Sequence, residues 1–379
     1  RRVLRHAGRR VLCGAFAVRK AGADLPSGEP STRLFIDVRP TNELLMTFMG
    51  DLDDMALPSQ FLSLVLTSGE VLLTSGEDLK SSFYLCRLPR PWAAYFCFER
   101  ELPGEALGST VLRVRIGATV LPMGFSNATA CLQTWHRGLG LNRTSSGTAA
   151  VADHPGLPPS EELRRGKVHP WSRRRRPRSL WHMFLDDFTE LAAVSARHAE
   201  LYRGRPGCSQ ALIRNLYEAR GVPRSTGKAI LMEPVAERLG YTLDGLEHWV
   251  GVSRQRGLEL AGFGVELLCE EWLPLLPLQI FAGKAGHALQ ANRSLWSYLH
   301  VFYRAADGTR GGPRRFLSDA ARRGAWLAHA HSGVGHVHEC GDQRPCHSLR
   351  RKRKGAWSQR EHCVDSARLS HDSGHGGGR

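Results

Sequence analysis

The sequence predicts an α+β fold: a small antiparallel sheet backed by helices. Residues 60–125 are rich in short strand-like runs, namely Phe61 to Leu66, Val71 to Leu73, Phe83 to Leu88, Ala94 to Phe98 and Val111 to Leu121. Farther along, strand-like and helix-like runs alternate. Leu180 to Leu185 reads as a strand that turns at Asp186-Asp187, and Glu190 to Tyr202 places Leu191, Val194, His198 and Leu201 on one helical face. Ser209 then caps a helix carrying Leu212, Ile213, Leu216 and Tyr217, stopped by Gly221 and Pro223.

The remaining elements follow in chain order. Residues 1–45 read as basic strands around a Pro/Gly/Ser loop from Pro26 to Ser31. Ser126 is placed to cap a helix running to about His136, with Gly138 and Gly140 ending it. Residues 141–179 read as a low-complexity insert of Ser, Pro, Gly and Arg whose run Arg173 to Arg176 is solvated. Residues 255–305 are mostly helical, broken at Leu275 to Pro277 and resuming over Gln279 to Leu289 and Leu295 to Tyr303. There Trp296, Tyr298, Phe302 and Tyr303 suit a core stripe at helical spacing, or else the lining of a groove. Residues 306–379 lose hydrophobic periodicity, are rich in Gly, Arg, His and Ser, and read as a disordered basic tail. Its His336, His338, Cys340, Cys346, His347, His362 and Cys363 are possible zinc ligands, but no pair has the C-x2-C spacing of a compact finger.

Composition narrows the function classes. The 379 residues suffice for two or three packed units, and 42% hydrophobic content is ordinary for a globular chain. A net charge of +16 predicts a polyanionic partner, nucleic acid first and an acidic membrane second. The plainer alternative is a coding region biased towards arginine. Nine scattered cysteines, an odd number, do not make a disulfide framework and point to a reduced compartment. With no apolar run long enough to span a bilayer and no signal peptide, the expectation is a nuclear or cytoplasmic chain, neither secreted nor in the membrane. The chain opens on Arg1 rather than Met, which reads as a fragment or an internal translation product.

The chemistry-bearing stretches are Met183-Phe184-Leu185-Asp186-Asp187-Phe188 and Ser75-Gly76-Glu77-Asp78-Leu79-Lys80. Each puts carboxylates at the end of a strand-like run. A hard divalent cation needs several carboxylate oxygens at one point, and two-metal nucleotidyl transfer needs such a set. The bland reading of Asp186-Asp187 is a hairpin turn whose aspartates cap the backbone. Asp53-Asp54, in a Gly- and Asp-rich loop, serves as a contrast and reads as solvated.

Six short motifs in order resemble the reverse transcriptases of retroviruses and retrotransposons, over residues 12–305. Phe16 to Lys20 followed by Arg33-Leu34-Phe35-Ile36-Asp37-Val38-Arg39-Pro40-Thr41-Asn42 is similar to the paired fingers strands. Asp78 to Tyr84 is similar to motif A, Leu121 to Ser126 to the LPxG turn of motif B, and Phe184 to Asp187 to the xxDD of motif C. Gly221-Val222-Pro223 with Lys228 is similar to motif D, and Leu239 to Gly245 to the LG turn after it.

The resemblance implies a right-hand polymerase fold: fingers over 1–60, a palm over 61–250 interrupted by the arginine-rich insert at 141–179, a helical thumb or connection over 251–305, and the tail from 306. It implies an RNA-directed DNA polymerase, a nucleotidyltransferase that uses two Mg²⁺ or Mn²⁺ ions to add dNTPs to a DNA primer on an RNA template. Asp78 and Asp186 would bridge both metals, Asp187 would be a weaker ligand, and the carbonyl of Leu79 would complete the triphosphate metal. Arg33 and Lys20, with Arg19 as rival, would grip the triphosphate. Phe83 would lie under the sugar and exclude a 2′-hydroxyl. Gly124 would let the backbone approach the incoming base, and Lys228 would protonate pyrophosphate. Asp37, Arg39 and Asn42 would build the fingers hairpin through local hydrogen bonds.

The chain departs from the pattern in four ways. The Lys20 to Arg33 and Gly124 to Asp186 intervals are long, Met123 stands where many retroviral enzymes carry Gln, and no ribonuclease H, integrase or endonuclease motif is visible. The alternatives are therefore a catalytically inactive, degenerate copy that binds nucleic acid, or an unrelated basic structural protein.

Overall fold

Four antiparallel strands make the central sheet. The computed structural model describes residues 3–24, 30–143, 154–172, 176–269, 272–291 and 296–307, with short strands at 314–316, 335–336 and 338–340. The expected tail, including most of its Cys/His pairs, falls almost wholly outside the described residues. By its internal contacts the chain divides into Arg1–Glu339 and Cys340–Arg379, and only the first is described below.

In chain order the elements are β1 (Gly14–Asp24), β2 (Pro30–Asp37), β3 (Glu70–Asp78), β4 (Cys97–Pro103), β5 (Arg113–Gly117), α1 (Ala128–Gly140), β6 (Ser179–Phe184) and β7 (Asp187–Ser195). Then come α2 (Cys208–Ala219), β8 (Ile230–Glu233), β9 (Val235–Arg238), β10 (Tyr241–Asp244), β11 (Trp249–Gly251), α3 (Arg254–Cys269), α4 (Leu275–Ala288) and α5 (Trp296–Ala305). The fold is α+β with antiparallel sheets. The central sheet runs β8-β3-β7-β6, while β1 pairs β2, β4 pairs β5, and β9, β10 and β11 form a meander.

The central sheet is covered on both faces. On one face Trp181, Met183 and Phe188 pack against Leu139 of α1 and Ile213, Leu216 and Tyr217 of α2. On the other, Leu72, Leu180 and Leu191 pack against Phe61, Leu163, Trp171, Leu243 and Val250. Removing this much apolar surface from water, at about 25 cal/mol per Å², is the main stabilising term.

Double-sided burial explains the largest difference from the sequence reading. Glu190 to Ser195 is not helix. It is the body of β7, paired residue for residue with β3 from Asp187 opposite Asp78 to Ser195 opposite Glu70. Helix begins only after the strand ends, as a 3-10 turn over Ala196–His198 that runs on into a short α-helix at Ala199–Tyr202. A strand buried on both faces carries apolar residues on successive positions, so helical spacing arises in it without a helix.

Smaller differences have local causes. Phe83 to Leu88 is not strand: Ser81 is left-handed (φ 55°) and lifts the chain out of the sheet into a short helix, Ser82–Leu85. Ser126 does not cap α1, whose N-cap is Asn127, and α1 runs through Gly138 before ending at Gly140; likewise Ser209 lies inside the first turn of α2, whose N-cap is Gly207. In α4, Pro277 sits in the first turn, where a missing N–H costs nothing.

The insert builds core. Leu157, Leu163 and Trp171 are buried, Trp171 stacks under the Arg176 guanidinium at 4.3 Å, and Glu162 forms a buried two-pronged pair with Arg137 at 2.6 and 2.8 Å. Arg173 to Arg175 lie outside the described residues. The Asp53-Asp54 loop is likewise engaged: Asp54 pairs with Arg164, and neighbouring Asp51 lies 3.5 Å from Arg137. No helix among the described residues is long and apolar enough to cross a membrane.

Candidate active site

Strand register brings the three candidate carboxylates together. Asp187 stands opposite Asp78 at the shared end of β7 and β3. The β6–β7 hairpin closes on the Phe184–Asp187 pair, which leaves Leu185-Asp186 as a two-residue turn. The Leu79 N–H donates to the Asp186 carbonyl at 3.1 Å and fastens that turn to the end of β3. The Ser82 hydroxyl lies 3.4 Å from Asp186 Oδ2.

The site is short of positive charge. Burial pushes the Asp186 carboxyl up, with repulsion from Asp78 adding to it. Burial also pushes Asp187 up to about 6; Arg238 opposes the shift, and Asp186 and Asp78 reinforce it. Two side chains supply cations. Lys228 Nζ bonds Asp78 Oδ2 at 2.9 Å, and this bond holds the ammonium pKa up. Arg238 Nη1 lies 3.6 Å from Asp187 Oδ1. Arg238 is only 7% exposed, and burial pulls its pKa down. It lies over Gly76 of β3, where any Cβ would collide with the guanidinium, and its Nε and Nη2 have no hydrogen-bond partner.

Carboxylates at one strand end, two of them destabilised as anions, are the type of donor a hard divalent cation takes. Asp78, Asp186 and Asp187 are the residues that would hold it. Among the described residues, however, no group of three His, Cys, Asp or Glu side chains converges on one point. Lys228 holds Asp78 and Arg238 faces Asp187, so an incoming cation competes with both.

The turn itself is held from behind. Leu185 is left-handed (φ 55°), a conformation that costs a leucine about 1–2 kcal/mol. Gln133 of α1 accepts the Leu185 N–H at 2.7 Å and donates to the Met183 carbonyl at 3.1 Å. One helical turn on, His136 Nδ1 lies 2.6 Å from the Leu185 carbonyl, and its Nε2 lies 2.6 Å from the hydroxyl of Tyr217 on α2.

The other candidate residues are placed as follows. Leu79 is buried beside Asp78. Phe83 is partly buried against the cluster of Ile36, Val38, Phe96 and Phe125. Gly124 has φ +99°, and its carbonyl accepts from Asn42 Nδ2 at 2.9 Å. Asn42 Oδ1 in turn takes the Ser126 N–H at 3.0 Å, so Asn42 ties the first hairpin to the LPxG turn instead of bonding locally. Asp37 and Arg39 do pair locally, at 2.7 Å. Val18 and Arg33 face one another across β1 and β2, with Lys20 farther along β1. The side chains of Lys20 and Arg33 lie outside the described ones.

Sequence reasoning passed over Arg238, Gln133, His136 and Tyr217. Arg238 was visible as the residue before the Leu239-Gly240 turn. The others carried no signal beyond a helical pattern, because their partners are 49 to 81 residues away. Buried Glu77, one residue before Asp78, was also passed over. It points to the opposite face and binds Arg214, Arg224 and Gln210.

No protein-family model matches the chain, and no curated protein matches it. Among solved structures it is similar to the foamy viral protease-reverse transcriptase dRH in complex with double-stranded DNA, at 13% identity and a TM-score of 0.48, covering 86% of this chain and 46% of that one. It is similar to the foamy viral protease-reverse transcriptase with an RNA/DNA hybrid, at 12% identity and a TM-score of 0.49, covering 88% and 35%. The corresponding complex with double-stranded DNA gives 12% identity and a TM-score of 0.47, covering 87% and 56%. The chain thus spans between about a third and just over half of the length of these proteins.

Proposed function

We propose that the chain is the RNA-directed DNA polymerase domain of a retroelement, adding dNTPs to a DNA primer on an RNA template. In this reading β1 and β2 belong to the fingers, the central sheet is the palm, and α3 to α5 form the thumb or connection. One observation carries it: Asp78 and Asp187 are cross-strand partners, with Asp186 in the adjoining turn. Asp78, Asp186 and, more weakly, Asp187 would hold two Mg²⁺ or Mn²⁺ ions, which when bound acidify the primer 3′-hydroxyl and neutralise the triphosphate.

The chain's own residues supply the rest. Lys228, released from Asp78, would give a proton to the departing pyrophosphate. Arg33 and Lys20 would bind the triphosphate. Phe83 offers no partner to a 2′-hydroxyl and so selects deoxynucleotides. Gly124 has no Cβ to obstruct a base close to its backbone.

The test is primer extension on an RNA template with Mg²⁺ or Mn²⁺. Extension by the wild type that is lost in Asp186→Ala supports the reading, and wild-type extension by Asp186→Ala overturns it.

A second reading, a nucleic-acid-binding copy without activity, is favoured by the same cations. Lys228 on Asp78 and Arg238 at Asp187 already offset two of the three negative charges. Primer–template binding by a wild type that never extends would select this reading.

A further inference from the structure

The aspartate turn is held by a relay that no catalytic motif contains. Leu185 is a left-handed, non-glycine residue immediately before Asp186. Strained backbone of this kind persists only where its surroundings over-determine it. Here Gln133 takes the Leu185 N–H and His136 takes the Leu185 carbonyl. These two side chains are three residues apart on α1 and so share one helical face.

Chemistry settles the direction of each bond. A carbonyl oxygen only accepts, so His136 Nδ1 carries the proton. In the neutral ring Nε2 is then the acceptor, and the Tyr217 hydroxyl donates to it. The ring is fully buried and neutral, with a pKa drawn down to about 4 by burial. Tyr217 is as deeply buried, so its hydroxyl has no solvent to turn to. The other tautomer would aim a lone pair at the Leu185 carbonyl and an N–H at the Tyr217 hydroxyl.

We propose that His136 is the positioning residue of the aspartate turn: Tyr217 holds it in the Nδ1–H tautomer, and it fixes the Leu185 carbonyl and thereby the aim of Asp186 and Asp187. This rests on reading those aspartates as the reacting site. Asp186 is tied in turn to β3 through the Leu79 N–H, so a displaced Leu185 carbonyl moves Asp186 relative to Asp78.

Three variants separate positioning from packing. His136→Leu fills the space without a donor. His136→Asn places an amide N–H near the Nδ1 position. Tyr217→Phe removes only the relay hydroxyl. In the full chain, His136→Leu should lower the maximal rate of primer extension roughly 10- to 100-fold, the scale of a small misplacement of catalytic groups. Primer–template affinity and the KM for dNTP should stay unchanged, and His136→Asn should recover most of the rate. A packing role alone would rank Leu above Asn, and that order overturns the proposal.

The ¹⁵N spectrum of histidine-labelled protein gives a readout independent of activity. The signal absent from His136→Asn identifies the ring. It should show Nδ1 protonated and Nε2 bare in the wild type, and a tautomer mixture in Tyr217→Phe. A protonated Nε2 in the wild type overturns the proposal. A wild type that extends no primer instead overturns the polymerase reading, and the turn then decides the proposal. Amide exchange at Leu79 and Leu185 should quicken in His136→Leu and be restored in His136→Asn, and exchange unchanged in His136→Leu overturns the positioning role.

Discussion

Asp78, Asp186 and Asp187 are three residues of one type in three different electrostatic settings. Asp78 has a lysine ammonium at hydrogen-bond distance, Asp187 has a buried guanidinium 3.6 Å away, and Asp186 has a hydroxyl and a backbone N–H on its carbonyl. Under the polymerase reading, Asp78→Ala and Asp186→Ala each remove a metal ligand. Extension should fall by about 10³-fold or more, while primer–template binding measured by anisotropy holds. Asp187→Ala should cost less. Asp53→Ala is the internal control and should be near neutral, whereas Asp54→Ala breaks the pair with Arg164 and is not a clean control. Phe83→Val should admit ribonucleotides while deoxynucleotide addition stays measurable. Discrimination unchanged in that variant would make Phe83 a core residue only.

Among the elements, β3 shows how close packing constrains a strand. Gly76 has no Cβ, and the Arg238 side chain from the end of β9 fills the space a Cβ would need. Gly76→Ala should therefore expel a buried guanidinium. Overpacking of this kind costs about 1–3 kcal/mol, which a lowered urea midpoint with an unchanged slope would show. The sheet and α1 also set an acid limit. Burial draws His136 down to about 4 and His182, with Arg238 repulsion adding, to about 3. Both folded values lie below the unfolded value near 6.5, so the unfolded chain binds protons more readily. Their contribution is complete above that value and is lost as pH falls towards 4, by roughly 3 kcal/mol from His136 alone. Urea midpoints between pH 7 and pH 4 should fall accordingly, and His136→Asn should flatten the part due to His136.

For the whole molecule, the net charge of +16 matters most. Under the proposed function, release of counterions from about six phosphates gives a log–log salt slope of roughly −5 on duplex DNA. A titration from low to moderate salt measures it, and a flat response would leave the charge as a matter of composition. The helical segment α3 to α5 has its own apolar cluster of Leu267, Leu278, Phe281, Leu289, Leu299 and Phe302. There the competing sequence readings divide: Phe302 is buried core, while Trp296 and Tyr303 are exposed, and the side chain of Tyr298 lies outside the described ones.

The sequence by itself determined what depends on residue type and near neighbours. A strand that runs up to the paired aspartates and the helical run of α2 are local patterns, and the structure has a strand and a helix there. Tertiary structure decided what depends on partners far along the chain. Strand β7 read as helix because its second buried face is invisible in a one-dimensional pattern. Residues 154–172 read as insert although Leu157, Leu163 and Trp171 complete the core. The partners of the aspartate turn come from α1, α2 and β9, and no local spacing announces a hydrogen bond or an ion pair between segments that only folding brings together.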